Sequence, residues 1–229
     1  SSGEGAAYAV QDLSGTLTTI NNTGFIKVSG SSTDDLRAID LSANTSGVTI
    51  KQYLNAIDKD AQEEEQADDD YDADNPTIYT AITGDIHTGS GNDVLDVASG
   101  RIYGDSYLNA GNDQLLLSGD SGYEGDVYFG SGTATMTMAG TSYFEGNIDL
   151  AGNLGTLTLG DTARFTGSVS NAGNLDVIVN GGSFGADSAT TLNFDTLTVN
   201  SGGALNVYID GDEGTASTIN VNTATFATG

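Results

Sequence analysis

The residues best suited to chemistry are two Asn-Asp pairs, each preceded by a glycine and followed by an alternating apolar strand. They lie in GSGNDVLDV at 89–97 and in NAGNDQLLL at 109–117. Carboxylate and amide oxygens are the ligands that Ca²⁺ prefers. If the two segments stack, Asp93 and Asp113 with Asn92 and Asn112 offer a weak shared calcium site. The other interpretation is a tight turn that carries a polar Asn ladder.

The spacing of the pairs favours the turn. Toxin-type calcium repeats recur about every nine residues, so that successive half-turns share an ion. Here the two aspartates are 20 residues apart, and the next copies, GSGTATMTM, AGNLGTLTL and AGNLDVIVN, lose the Asn-Asp pair. We therefore interpret the motif as the corner of a repeating coil, with no metal ligand assigned.

Enzymatic chemistry has few candidates. The six basic residues are Lys27, Arg37, Lys51, Lys59, Arg101 and Arg164. Arg101 and Arg164 hold equivalent places three repeats apart, about 14 Å if the repeats stack, which is too far to act on one bond. His87 is predicted to be an exposed strand histidine because the alternation points it outward, and no serine nucleophile constellation is present. No catalytic residue is assigned, and the chain is not expected to be an enzyme.

Two further sets of residues, one of aspartates and one of tyrosines, each have a functional and a structural interpretation. Asp85 and Asp105 are one repeat apart, close enough to pair, but so many acids make such pairs common. Tyr107, Tyr123 and Tyr128 form either a sugar-stacking surface or ordinary core and rim packing.

The elements that position these residues follow a repeat. Glycine-led blocks begin at Gly84, Gly104, Gly125, Gly146 and Gly167. Each block has three apolar columns. The first column holds the apolar-x-apolar pairs Leu95/Val97, Leu115/Leu117, Met136/Met138, Leu157/Leu159, Val177/Val179, Leu197/Val199 and Leu205/Val207. The second column is Ile102, Tyr123, Phe144 and Phe165, and the third is Ile86, Ser106, Val127, Ile148 and Val169.

Three apolar columns in about 20–21 residues predict three short strands per turn, with glycine or Asn at corners that need positive φ. The prediction is an all-β parallel β-helix of eight to ten coils, about 40–50 Å long. An antiparallel sandwich is the alternative. We expect N-terminal coils over 1–50, including the strands GFIKV, LRAIDL and GVTI, regular repeats over 78–194, and atypical capping coils over 195–229.

The segment 51–77 interrupts the strands. Tyr53, Leu54 and Ile57 have helical spacing, and an acidic run follows over 63–74. We predict a short helix that leaves the solenoid and an acidic loop that returns to it. A solvated insertion and a cation-collecting or self-contacting loop both fit, although the spacing does not match an EF-hand.

Composition excludes several partners and sites. A formal charge of −26 repels nucleic acid and anionic lipid. Without cysteine, and with His87 as the one histidine, no disulfide and no thiolate or histidine-built zinc site is possible. No apolar run reaches the roughly 18 residues of a membrane helix, and the opening SSGEGAAYAV does not predict a signal peptide.

The blocks GDIHTGSGNDVLDVASG and GNIDLAGNLGTLTLGDTARFTGSV resemble the passenger region of bacterial autotransporters (type V secretion), over 78–229. The segment ALNVYIDGDEGTASTINVNTATFATG resembles the part before their outer-membrane translocator. The resemblance implies a right-handed β-helix, exported across the outer membrane of a Gram-negative bacterium by a translocator barrel. It also implies a location on the cell surface or outside the cell.

Together these observations predict an extracellular structural or adhesive β-solenoid. Open sheet edges at the solenoid ends favour end-to-end association of copies into fibres. The alternatives are a calcium-stiffened surface-layer or matrix module and a carbohydrate-active lyase or hydrolase. No cofactor is expected apart from the weak case for Ca²⁺.

Overall fold

The computed structural model describes residues 6–30, 35–67 and 77–227. Apart from one helix the fold is all-β, and twenty of its strands form a single continuous sheet in which every pairing is parallel. This confirms the parallel β-helix and excludes the antiparallel sandwich. The handedness of the coil stays a prediction.

The strands before the regular repeats build the first two coils. They are β1 (Ala6–Gln11), β2 (Thr19–Asn22), β3 (Phe25–Lys27), β4 (Asp35–Asp40), β5 (Thr49–Gln52) and β6 (Ala81–Thr83). β4, β5 and β6 pair in register with β1, β2 and β3. The predicted strands near 24–28, 36–41 and 47–50 are confirmed as β3, β4 and β5. The sequence pattern missed β1 and β2.

The regular repeats continue the same three faces. Their strands are β7 (Asp85–His87), β8 (Val94–Val97), β9 (Arg101–Tyr103), β10 (Ser106–Leu117), β11 (Gly122–Glu124), β12 (Val127–Met138), β13 (Tyr143–Asp149), β14 (Leu154–Leu159), β15 (Arg164–Ser170), β16 (Leu175–Val179) and β17 (Ser183–Gly185). Several strands turn a corner without a break. β12, for example, lies on one face at Val127 and on the next at Met138.

The C-terminal part contains β18 (Thr191–Val199), β19 (Ala204–Asn206), β20 (Ile209–Asp210), β21 (Thr215–Ala216) and β22 (Thr218–Phe226). β22 stacks in parallel on β18, and β20 and β21 form an antiparallel hairpin. One prediction is wrong here. Leu205 lies opposite Phe184 on a different face from Leu197, and Val207 is exposed, because the chain turns one corner between Val199 and Ala204.

The predicted apolar columns form the core. Leu115, Met136 and Leu157 lie on adjacent rungs, as the spacing predicted. A second column stacks Tyr123, Phe144, Phe165 and Phe184 with ring centroids 5.0–5.2 Å apart. These four rings are fully buried, because the ring of each rung is covered by the core side chains of the rungs above and below it.

The helix α1 (Ala56–Gln66) lies in the insertion between β5 and β6. It begins later than the sequence suggested, since residues 51 and 52 complete β5. Asn55 caps it by accepting hydrogen bonds from the amides of Ile57 and Asp58. No residue of α1 is buried, and Gln62 holds it to the solenoid through a 2.7 Å hydrogen bond to Asp120. The predicted acidic loop over 68–76 lies outside the described residues.

A glycine ladder forms one corner. Gly104, Gly125 and Gly146 all have φ between +136° and +155°, which disfavours any side chain. A Cβ at Gly125 would also overlap the carbonyl oxygen of Gly104 in the preceding coil. Successive coils can therefore approach closely only because these positions lack side chains.

We expect Gly125→Ala to lower the free energy of unfolding by about 1–3 kcal/mol, because it combines backbone strain with a backbone clash. The matched control is Gly173→Ala, where a Cβ would meet nothing within 4 Å. Guanidinium denaturation followed by circular dichroism measures both. Equal stability of the two variants would contradict the close-approach explanation.

Candidate functional site

The calcium candidates Asp93 and Asp113 lie inside the corner and are 2% exposed. They have the same strand parity as the core residues that follow them, Leu95 and Leu115, so they point inward. Oδ1 of Asp113 accepts a hydrogen bond from the Asp93 amide at 2.8 Å, and Oδ1 of Asp93 accepts one from the Val48 amide at 2.7 Å. The carboxylates thus form a ladder that binds backbone from coil to coil.

This burial changes the acidity of both groups. Desolvation raises the pKa of Asp113 to about 6 and also raises the pKa of Asp93. Oδ2 of Asp93 is buried without a hydrogen-bond partner in the described part of the chain. Folding therefore favours the protonated form of both carboxyl groups.

The neighbouring asparagines form the polar ladder predicted for the corner. Oδ1 of Asn92 accepts from the Asn112 amide at 2.8 Å, and Oδ1 of Asn112 accepts from the Thr133 amide at 3.1 Å. Because Asn92 and Asn112 point outward while Asp93 and Asp113 point inward, the four side chains do not converge on one point. The geometry fits the coil corner, and within the described ranges no three acidic or histidine side chains form a metal-binding group.

The acidic run over 63–74 is described only to residue 67. There, Glu63 pairs with Lys59 at 3.7 Å on the surface of α1. Glu65 accepts hydrogen bonds from the hydroxyl groups of Thr77 and Tyr79, which ties the end of α1 to the returning chain. These two glutamates therefore have structural partners.

A second acid ladder follows the glycine corner. Oδ1 of Asp85 accepts from the Asp105 amide at 3.0 Å, and Oδ1 of Asp105 accepts from the Asp126 amide at 2.8 Å. In the next coil, Oδ1 of Asp126 accepts the equivalent hydrogen bond from the Asn147 amide. The proximity predicted for Asp85 and Asp105 is thus explained by side-chain to backbone bonds between coils. Burial raises the pKa of Asp85.

An aromatic ladder runs beside these acids on the outer surface. The rings of His87 and Tyr107 stack at 4.4 Å, and those of Tyr107 and Tyr128 at 4.8 Å with an interplanar angle of 7°. His87 was expected to be exposed, but Tyr107 covers one of its faces and the residue is half-buried. Burial lowers the pKa of His87, which favours the neutral imidazole.

The three tyrosines considered as a sugar-stacking surface separate into two groups. Tyr107 and Tyr128 lie on the outer face. Tyr123 lies in the core, where its hydroxyl hydrogen-bonds Ser106 Oγ at 2.7 Å. The interior position follows from parity, since Tyr123 has the place of Ile102 and Phe144 in neighbouring coils.

The two equivalent arginines meet the same ring. The Arg101 guanidinium lies 5.0 Å from the centroid of Tyr143, and that of Arg164 lies 5.9 Å from it. The rung between Arg101 and Tyr143 carries Gly122, and the absence of a side chain there lets them contact each other. Tyr143 also donates a hydrogen bond to Glu124, and Arg164 pairs with Glu145 at 3.1 Å. Sequence spacing placed these arginines three rungs apart and missed the shared tyrosine.

A cleft of about 220 Å³ opens where the aromatic ladder ends. It is lined by Tyr107, Asn109, Tyr128, Phe129, Gly130, Asp149, Ala151 and Asn171. Asp149 is the rung neighbour of Tyr128, and both of its carboxylate oxygens accept hydrogen bonds from Asn171 Nδ2. The cleft joins an aromatic ring face to a fixed carboxylate on an outer face of the solenoid.

Comparison with known proteins adds no family. No family model, no curated protein and no solved structure matches the chain. Among the residues that the structure describes, no helix has the length and apolar character needed to cross a bilayer.

Proposed function

We propose that this chain is an extracellular structural and adhesive β-solenoid, the passenger region of an autotransporter-like surface protein, whose copies stack end to end into fibres. Export by a translocator barrel and a location at the Gram-negative cell surface belong to this proposal. Its support is the resemblance of the repeat blocks, the parallel β-helix fold and the acidic, cysteine-free composition. The absence of enzymatic activity stays a prediction.

The observation that supports the assembly is the set of unpaired strand edges on the first and last described coils. In the described ranges, β1, β2 and β3 pair on one side only, and so do β19 and β22 at the other end. Inward apolar residues are only partly buried at both ends: Val10, Ile20 and Ile26 at one, and Leu205, Ile219 and Val221 at the other. Unpaired strand edges over an open apolar core are templates for another chain.

The geometry favours head-to-tail stacking. All strands on one face run in the same direction, so a second copy can continue the ladder only by placing its first coil on the last coil of its neighbour. Such a contact uses two different surfaces and repeats without closing, which gives a filament. The exposed rings of Phe25 and Phe226, one at each end, add apolar area to this contact.

The test places a charge in the open core. Val221→Lys puts an ammonium group on the inward side of β22, and we expect it to keep the protein monomeric where the unmodified chain associates. The matched control is Asn220→Lys, which makes the same change in charge at an exposed position on the same strand. Sedimentation velocity over a range of concentrations, with electron microscopy of the concentrated samples, measures the assembly.

The opposite end provides a second variant. Ile20→Lys should also block assembly, whereas an equal mixture of Ile20→Lys and Val221→Lys should form dimers through their intact ends and no fibres. A chain that stays monomeric at every concentration would refute the assembly. So would Val221→Lys fibres indistinguishable from those of the control.

A further inference from the structure

The chain covers two outward-facing tyrosine rings, Tyr8 and Tyr143, with its own arginines. The Arg37 guanidinium lies 6.0 Å from the Tyr8 centroid and pairs with Asp35 and Asp40. Tyr143 has two guanidinium groups within 6 Å of its centroid, as described above. In each case the aromatic ring, the cation and a carboxylate occur together, because a ring face and an anion both attract a planar cation.

Tyr128 has the ring and the carboxylates but no cation. One face of its ring is stacked on Tyr107. The next two rungs in its column carry Asp149 and Ser170, neither of which is aromatic or basic. Tyr128 and its rung neighbour Asp149 both line the 220 Å³ cleft, and none of the six basic residues of the chain does.

The carboxylates at the cleft are fixed in place. Asp126 accepts a hydrogen bond from the Tyr128 hydroxyl at 3.2 Å, which holds the ring. Asp149 accepts one from the Ala151 amide at 2.8 Å, in addition to the two from Asn171. These neutral donors orient Asp149 and leave its negative charge uncompensated. A chain of net charge −26 adds a long-range attraction for cations.

We propose that this cleft binds the guanidinium group of an arginine presented by a basic partner protein, stacked on Tyr128 and paired with Asp149. Guanidinium suits the site better than ammonium because it is planar and can stack on the ring while one of its N–H groups donates to Asp149 Oδ2, which has a free lone pair. This proposal rests on the adhesive function proposed above and specifies the chemical group of the partner that the solenoid would bind. It does not depend on stacking of the solenoid ends.

The test titrates the purified chain with a triarginine peptide and, separately, with trilysine, by two-dimensional NMR at low salt. We expect triarginine to shift signals around the cleft and to bind about fivefold to tenfold more tightly than trilysine. Tyr128→Leu, which keeps an apolar side chain on Tyr107, and Asp149→Asn should each weaken triarginine binding by a similar factor. Tyr103→Ala and Asp212→Asn are matched controls and should leave the affinity unchanged.

Three results would overturn the proposal. The first is equal affinity for the two peptides, which would mean diffuse electrostatic attraction. The second is unchanged binding in both cleft variants. The third is a cleft that responds to a neutral oligosaccharide and not to triarginine. If the unmodified chain is monomeric and triarginine still binds at the cleft, the result supports the arginine-binding proposal and refutes the end-to-end assembly.

Discussion

The Phe165→Ala variant is expected to lose about 3–5 kcal/mol of unfolding free energy, the largest effect of any single substitution considered for this chain. Phe165 is fully buried and lies between the rings of Phe144 and Phe184, at centroid distances of 5.1 and 5.0 Å. Removing the ring leaves a cavity that the neighbouring rungs cannot fill, because the ladder hydrogen bonds fix their separation. Guanidinium denaturation monitored by far-ultraviolet circular dichroism measures the loss.

Two further variants serve as controls for the Phe165→Ala measurement. Leu154→Ala removes an apolar side chain that is 65% exposed and should change stability by less than about 0.5 kcal/mol. Phe165→Leu refills part of the cavity and should recover part of the loss. If Phe165→Ala were as stable as Leu154→Ala, the aromatic column would not be the core of the solenoid.

The second prediction concerns pH. We expect the Asp113 carboxyl to stabilise the folded chain increasingly as the pH falls from neutrality, and Asp113→Asn to lack that contribution. Burial raises the pKa of Asp113 to about 6, so the folded state prefers the protonated carboxyl. The resulting stabilisation is complete below the ordinary aspartate pKa and is lost as the pH rises through about 6. Asp113 alone then contributes about 2 kcal/mol between about pH 7.5 and about pH 4.5.

The measurement is the free energy of unfolding at several pH values for each protein. Carboxylates whose pKa is lowered, such as Asp12, Asp35 and Asp40, lose most of their contribution below the ordinary aspartate pKa, at the lower limit of this window. His87, whose pKa is lowered, acts in the opposite direction within the window, because the unfolded chain takes up its proton first as the pH falls. Both effects are present in the two proteins, so the difference between their curves isolates Asp113. Asp212→Asn, in the exposed hairpin, controls for the change in net charge and should keep the full slope. Parallel curves for Asp113→Asn and the unmodified chain would contradict the buried-charge explanation.

The repeat could be predicted because each rung imposes the same demand on the sequence. Leu115, Met136 and Leu157 must all point inward at the same place in successive rungs, and the glycines must recur at the same corner. The period of the sequence was therefore enough to predict the core column and the corner. The prediction failed at Val207, where the corner residues change and the spacing no longer identifies the face. β1 was missed because its small apolar residues, in AAYAVQ, do not alternate with polar ones, and β2 was missed because TINN has a single apolar residue.

The polar sites were harder to predict, although part of the signal was present. The parity of Asp93 with Leu95 and Val97 is a sequence signal that places its carboxylate inside the solenoid. The arrangement of Arg101 on Tyr143 depends on Gly122 leaving a gap in the intervening rung. The partial burial of His87 comes with the stacking of its ring on that of Tyr107 in the next rung. Side-chain packing across rungs of this kind is not encoded in the spacing of the repeat.

The uniform ladder also determines how the molecule would carry mechanical load. In the described strands, the backbone ladder joins each rung to the rungs directly above and below it, so tension applied to the two chain ends falls on the terminal rungs first. The solenoid would then peel from its ends one turn at a time, and each turn of about 20 residues would release about 70 Å of extended chain. Such a rod would dissipate mechanical work through many small unfolding steps instead of rupturing in a single event.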